Sequence, residues 1–389
     1  MAKHLPYFLA SFAWNYGLGM TWLVVPLYAV SLGLTGAQIG VLFSVPAIAQ
    51  VTINTLGGAY VDRFGGHRVM QASALLMTAG AAVLPFATGF GSLFAGQLVL
   101  VLARASFWPA NWSIAAELPG ERGVQAGRLN AVTNLGQILG NSSCGFILSL
   151  AGFDTAFAVL AGSGFASWLV GLASRTGPRK AARPGQNLFA NYFVLLRMPV
   201  LYYVILCAYL SALPFTLSMS FYPLLLKALG FGAETSGVLL ALRAVGGIGA
   251  GLLVARFVNT GPTSLWPVVS GLLVGLAVGL QPLVSHWALV GGFLFVLGVA
   301  SAVMTVYFQV TMAEIVAPEM RGSALALGGL GWGVSHLTTP LVTGLLADQY
   351  GVVAGFYVLG AMALVTAVFL ALLRRWAFAR TRFAAPLPA

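Results

Sequence analysis

The side chains able to do chemistry in this sequence are few, and they sit where charge is costly. Arg104 lies near the middle of an apolar run at 92–116, about 18–20 Å from either end at about 1.5 Å per helical residue. A guanidinium at that depth costs at least ~2.5–3.5 kcal/mol on insertion scales and reads as functional by default. Trp108, Asn111 and Trp112 follow at i+4, i+7 and i+8, so one helical face carries a guanidinium, an amide and two indoles. A guanidinium presents five donors in a planar fork, the shape that recognises a carboxylate or phosphate. The alternative is a structural arginine bonded to backbone carbonyls, or to Asn134 or Gln137. Arg243 is a second arginine within an apolar run, at 235–256.

Acids are missing from the same depth. All eight, Asp62, Glu117, Glu121, Asp154, Glu234, Glu314, Glu319 and Asp348, fall at the ends of apolar runs or between them. Two buried arginines with no buried acid leave positive charge for a ligand to neutralise. No HExxH, no mid-run carboxylate pair and no Ser/His/Asp set is present, so no catalytic constellation and no enzyme is expected. Cys144 and Cys207 lie in apolar runs without metal-ligand spacing, and neither metal nor cofactor is expected. Gly247, Gly249 and Gly251 mimic a nucleotide fingerprint, but in an apolar run lacking the third glycine's spacing they read as helix packing.

The elements that must hold these residues follow from composition. Of 389 residues only 7% are charged and 59% are hydrophobic. An average soluble domain is about 25% charged, so a soluble enzyme, a disordered chain and a nucleic-acid binder are excluded. Apolar runs of about 20 residues each are long enough to cross a bilayer as helices. They fall at 6–32, 36–60, 68–88, 92–116, 123–150 and 153–174, then at 199–226, 235–256, 263–284, 287–313, 322–346 and 351–374. The first run is longer than a signal-peptide core and has no clear cleavage site, so it reads as an uncleaved span. Twelve spans put both termini on one side. That side holds 16 of the 19 Lys and Arg residues, which makes it cytoplasmic by the positive-inside rule. Only Lys227 lies at the opposite face. The net charge of +11 is therefore mostly topology.

Within this frame more polar residues gain a place. Asn130, Thr133, Asn134, Gln137 and Asn141 step by three and four along one face of the fifth run, and a polar stripe in lipid needs a wet cavity or another helix. Gln50 corresponds to Arg243 under the internal repeat described next, so both are expected to face a central cavity. His336 is the only histidine well inside a run, with Trp332, Ser335, Thr338 and Thr339 around it. It is either a proton-coupling group or a hydrogen-bonded structural one. Asn15, Tyr16, Thr21, Thr305, Tyr307 and Gln309 are weaker cavity candidates.

The two halves repeat. Gly58, Asp62 and Arg63 after the second run reappear as Gly251, Ala255 and Arg256 after the eighth, 193 residues on. Ala116, Glu117, Arg122 and Gly123 after the fourth run reappear as Ala313, Glu314, Arg321 and Gly322 after the tenth. Two matches in order indicate tandem duplication of six helices, both copies pointing the same way. Six plus six spans, a basic central loop and these motifs resemble the major facilitator superfamily over the whole chain. The most specific piece is Gly58, Asp62, Arg63 and Gly65, followed by Gly66, His67 and Arg68. It is similar to that superfamily's loop G-x-x-x-D-R-x-G-R-[RK], with Gly66 in place of a basic residue.

The resemblance implies an all-α membrane protein of 12 transmembrane helices in two pseudo-symmetric six-helix bundles. The expected divisions are 1–174 for the N-terminal bundle, 175–198 for a basic cytoplasmic linker and 199–389 for the C-terminal bundle with its basic tail. The linker's end, from Asn187 to Arg197, reads as a short amphipathic helix on the membrane surface. The resemblance also implies a cytoplasmic gate, in which Asp62 meets the N-terminus of the eleventh span near Gly322 and Ser323. Glu117 and Arg122 in one half, and Glu314 and Arg321 in the other, can pair with Arg256 and Arg63 across the seam, with Arg68 in the same gate; the alternative is that these charges only hold the turn at the headgroups. The expected activity is secondary transport of a small organic solute, anionic or acceptor-rich, across the plasma (inner) membrane by alternating access. Its binding set is Arg104, Arg243, Gln50, Trp108, Asn111, Trp112, Asn134, Gln137, Asn15, Tyr307 and His336. The alternative is a multidrug-type exporter of lipophilic compounds; a channel and a transport-dead sensor stand behind it. Expected partners are the solute, the bilayer, and protons or a counter-ion, with no nucleic acid, and the protein is expected to be a monomer.

Overall fold

The computed structural model describes residues 4–119, 122–174, 193–254, 264–316 and 321–379. Among them the secondary structure is helical, with no strand. The helices are α1 (Leu5–Ser31), α2 (Gly36–Phe64), α3 (Gly66–Val83), α4 (Phe90–Glu117) and α5 (Arg122–Leu172). After the linker come α6 (Pro199–Met219), α7 (Tyr222–Ala228), α8 (Ala233–Val254), α9 (Trp266–Leu280), α10 (Trp287–Ile315), α11 (Arg321–Gly328), α12 (Leu330–Tyr350) and α13 (Val352–Phe378). Of the expected helix at 187–197, residues 193–196 are helical and 187–192 lie outside the described residues.

Local chemistry sets the boundaries. Thr35 caps α2: its hydroxyl accepts from the Gln38 amide while Gln38 returns a bond to the Thr35 amide. Gly65 separates α2 from α3 at φ 86°, a backbone state open to glycine, which explains the second glycine of the loop motif that begins at Gly58. Gly152, at φ 76° and ψ −174°, breaks α5 where two spans were expected. The expected span at 199–226 is divided at Ser220, and that at 322–346 at Gly329.

Nine segments of the described residues are long and apolar enough to cross a membrane. One of them, Gly127–Leu172, contains both the fifth and sixth expected spans. Helix α8, with Glu234 and Arg243, and helix α12, with His336 and Asp348, are not among the nine.

Within the first half α1 packs on α5, α3 on α4 and α5, and α2 on α4; within the second α8 packs on α10, α9 on α13, and α6 on α10 and α12. Two seams join the halves, α2 on α12 and α5 on α8. Both are closed at the end where α2 and α8 begin, by backbone meeting backbone. There Gly36 faces the Gly344 carbonyl, Gly40 faces that of Pro340, and Gly145 and Gly237 face those of Ala233 and Asn141. The Asp348 carboxylate also accepts from the Gly36 amide at 2.5 Å and the Ala37 amide at 2.9 Å, joining α12 to the first turn of α2. Such a carboxylate satisfies two unpaired helix donors and the positive end of the helix dipole.

Candidate functional site

Between the halves lies a cavity of two lobes, about 610 Å³ and about 410 Å³. Asn130, Asn134, Gln137, Phe215, Thr305 and Trp332 line both lobes, so the two are continuous. Ligand sites commonly enclose ~300–1,000 Å³. The walls run from the level of Arg104 to Trp112 and Gly127, each five residues from the helix end at Glu117 or Arg122, and both residues are exposed. The cavity thus opens toward the end where α1 begins and is closed at the other.

Gln50, Arg104, Trp108, Trp112 and His336 complete the larger lobe. Arg104 is 7% exposed. Its Nε and Nη2 donate to Gln50 Oε1 at 3.0 and 2.6 Å, and Nη1 points at the Met219 sulfur at 3.7 Å. Its amide partner is thus Gln50 of α2, neither Asn134 nor Gln137, because α2 and α4 pack together within the first half.

Arg243, Ala244, Gly247 and Ser301 belong to the smaller lobe. Arg243 is also 7% exposed, yet its guanidinium makes no hydrogen bond to any described residue, and Nε is buried without a partner. It lies against the rings of Trp22 and Phe215, at 5.5 and 5.2 Å from their centroids. Such contacts hold a guanidinium in place while the donors on its two Nη nitrogens stay open. Gly247, expected in helix packing, also reaches this wall.

The polar stripe of α5 divides. Asn130, Thr133, Asn134 and Gln137 face the cavity. Asn141 is 1% exposed and sits at the α5–α8 seam with both amide atoms unpartnered. His336 is held by Nδ1, 2.8 Å from the Trp332 carbonyl, with the Thr216 hydroxyl at 3.5 Å. Its ring stacks on Trp332 at 5.9 Å and lies 5.8 Å from Phe215.

Three expected binding residues do not line either lobe, and each is held in helix packing. Asn111 accepts from Ser11 at 2.9 Å through its side chain and from Tyr7 at 2.8 Å through its carbonyl, facing α1. Asn15 stands behind the wall: its Oδ1 accepts from Gln137 at 2.8 Å, and its Nδ2 donates to the Ser11 carbonyl at 2.9 Å. Tyr307 is fully buried, its ring 6.4 Å from that of Tyr203. Conversely, Phe215 and Trp22 carry no signal of their own in runs this rich in aromatics, yet they position Arg243.

Of the expected gate, Arg63, Arg68, Glu117 and Glu314 are exposed, and Arg63 lies 5.3 Å from the Phe64 ring centroid. Arg256 and the side chains of Asp62, Arg122 and Arg321 lie outside the described residues. Among the described residues no three His, Cys, Asp or Glu side chains gather as a metal site.

A family profile described as Major Facilitator Superfamily matches residues 7–284 and 264–385. Multidrug resistance protein MdtG of Proteus mirabilis (strain HI4320) is 24% identical over 373 residues, covering 92% of this chain and 90% of that protein. Quinolone resistance protein NorA of Staphylococcus aureus is 24% identical over 137 residues, 35% of each chain, so the chain spans about a third of the NorA length it matches. A solved bacterial homolog of the human lysosomal transporter Spinster, inward-facing and unoccupied, superimposes with a TM-score of 0.76 at 16% identity, covering 97% of this chain and 98% of that one. A mutant of the nucleoside transporter NupG gives 0.76 at 16% identity, covering 96% and 99%. At that identity these two structures bear on the fold alone.

Proposed function

The chain belongs to the major facilitator superfamily, and from that premise we propose that it is a twelve-span secondary carrier that moves a small organic anion, or a solute with a strongly electronegative group, by alternating access. The proposed binding set is Arg243, Arg104 and Gln50, with Asn134, Gln137 and His336 on the polar wall and Trp108, Trp112, Phe215 and Trp332 on the aromatic one. Arg243 carries this reading: a guanidinium 7% exposed, with no hydrogen-bonding partner among the described residues, lining a cavity in which no described acid faces it. A buried charge without a counter-charge is costly, and an anionic ligand offsets that cost through charge-assisted bonds. The proposed setting is the plasma membrane, with both termini and the open end of the cavity cytoplasmic, supported by the 16 basic residues expected there. The division at 1–174, 175–198 and 199–389 belongs to the same proposal, as does a gate built on Asp62 and its partners.

Binding by the purified protein tests the clamp. Ligands of the folded state raise apparent stability in proportion to ln(1 + [L]/Kd), so a thermal-shift screen of organic solutes finds them. In Arg243→Ala the anionic hits are expected to weaken at least about thirtyfold, the lower end of the ~2–5 kcal/mol typical of breaking a buried charged pair. Anion affinities unchanged in that variant refute the clamp. Solute counterflow in proteoliposomes separates a carrier from a channel or a sensor.

A second reading, export of lipophilic compounds, is favoured by the aromatic wall and by the likeness to MdtG over nearly the whole chain. It expects neutral lipophiles to survive Arg243→Ala and to lose affinity in Trp332→Ala.

A further inference from the structure

Both guanidiniums in the cavity can only donate hydrogen bonds. Several of the neutral polar groups around them are turned the opposite way. Asn134 Nδ2 donates to the Asn130 carbonyl at 2.7 Å, and the Thr133 hydroxyl donates to the same carbonyl at 3.1 Å. The Thr305 hydroxyl donates to the Ser301 carbonyl at 2.9 Å. Gln137 Nε2 donates to Asn15 Oδ1 at 2.8 Å. That orientation is fixed from behind, because Asn15 Nδ2 faces the Ser11 carbonyl, which can only accept. His336 Nδ1 faces the Trp332 carbonyl at 2.8 Å, so that nitrogen carries the proton and the neutral ring keeps its lone pair on Nε2.

Each of these residues therefore commits a donor to the protein backbone or to the layer behind the wall. Among the amide and imidazole groups three acceptors remain without a described donor: Asn134 Oδ1, Gln137 Oε1 and His336 Nε2. None of the three is among the sealed, unpartnered atoms, and all three residues line the larger lobe with Arg104. The cavity has donor poles at its two arginines and an acceptor band between them. A ligand that is only an anion would leave that band facing it unmatched, and a buried acceptor without a donor costs about 1–3 kcal/mol.

We propose that the substrates are bifunctional: they carry an acidic group for the guanidiniums and at least one O–H or N–H donor for the acceptor band, with His336 Nε2 the principal acceptor. This rests on the anion clamp argued above. The aromatic flanks of His336 and Phe215 favour a planar ring system bearing both groups.

The test is titration calorimetry on the protein in nanodiscs with 2-naphthoate, 6-hydroxy-2-naphthoate and 6-methoxy-2-naphthoate. In wild type the hydroxy acid is expected to bind at least tenfold tighter than the other two. In His336→Phe that preference is expected to fall below threefold, and a melting temperature of the unliganded variant within a few degrees of wild type reports a folded protein. His336→Gln, which keeps an acceptor, is expected to restore part of that preference. Equal wild-type affinities for the three acids overturn the proposal and leave the clamp standing, provided 2-naphthoate binding is weakened in Arg243→Ala. A hydroxyl preference undiminished in His336→Phe removes His336 from the role. Absence of binding by all three acids overturns the clamp and this proposal together.

Discussion

Gln50→Glu would place a carboxylate oxygen where the Gln50 carbonyl oxygen now accepts from Arg104, 2.6–3.0 Å from two guanidinium nitrogens. The side chain is isosteric, so the perturbation is one of charge. With charge centres about 4 Å apart and an effective dielectric near 20, the attraction is about 4 kcal/mol. At about 1.4 kcal/mol per tenfold, full loss of the Arg104 charge to an incoming anion would weaken binding by about a thousandfold. The lobe is open at one end, and water there screens part of this, so the expected loss is ten- to a hundredfold. Gln50→Leu makes the opposite change: it removes the internal acceptor, frees the Nε–Nη2 edge, and is expected to hold or raise anion affinity. The assay is titration calorimetry with 2-naphthoate and its neutral isostere 2-naphthamide. Loss of the acid alone in Gln50→Glu is the expected signature. Unchanged naphthoate affinity in that variant, or equal loss of acid and amide, refutes the idea that Arg104 contributes charge to the site.

Two other predictions address what positions the site. Phe215→Leu removes one of the rings against Arg243 and is expected to weaken anion binding about two- to thirtyfold, in line with ~0.5–2 kcal/mol for such a contact, while leaving the melting temperature of the unliganded protein within a few degrees. A melting temperature that collapses, or anion affinity that stays at the wild-type value, contradicts that role. Asp348→Ala removes the acceptor of the Gly36 and Ala37 amides; hydrogen exchange of the peptide covering 32–42 is expected to speed up about two- to fivefold, from the ~0.3–1 kcal/mol of an exposed charge at a helix N-terminus. No change there would make that carboxylate incidental to closure of the cavity's far end.

Sequence periodicity located the faces of the helices well and their rotation against neighbours poorly. At about 100° per residue, Trp108, Asn111 and Trp112 stand near +40°, −20° and +80° from Arg104, a single face by any wheel. The edge of the cavity runs through that face: the indoles fall inside it, and Asn111 turns to Ser11 and Tyr7 of α1. A difference of about 20°, between Arg104 and Asn111, decides the matter, and only the packing of α1 on the first bundle supplies it. The internal repeat served better, because it carries three-dimensional information in one dimension. It paired Gln50 with Arg243, and both reach the cavity walls. It could not reveal that Gln50 holds Arg104, since that contact lies within one half. The aromatic holders of Arg243 were silent in a chain with 25 Phe and 9 Trp, where no single ring stands out.

The seams that close the far end bear on how such a protein can diversify. Where Gly36 meets Gly344 and Gly145 meets Ala233, backbone lies on backbone, and one added methyl group would collide with a carbonyl. Those positions have almost no freedom to vary while the halves still meet. The cavity wall is built from side chains that point into space, so a Trp, Asn or His there can be exchanged without moving a helix. Variation is thereby channelled: the seam surfaces are frozen at the level of single atoms, and the lining of the cavity can drift one residue at a time. A library randomised at the wall should yield many folded proteins with altered ligands, and one randomised at the seam glycines should yield few folded proteins of any kind.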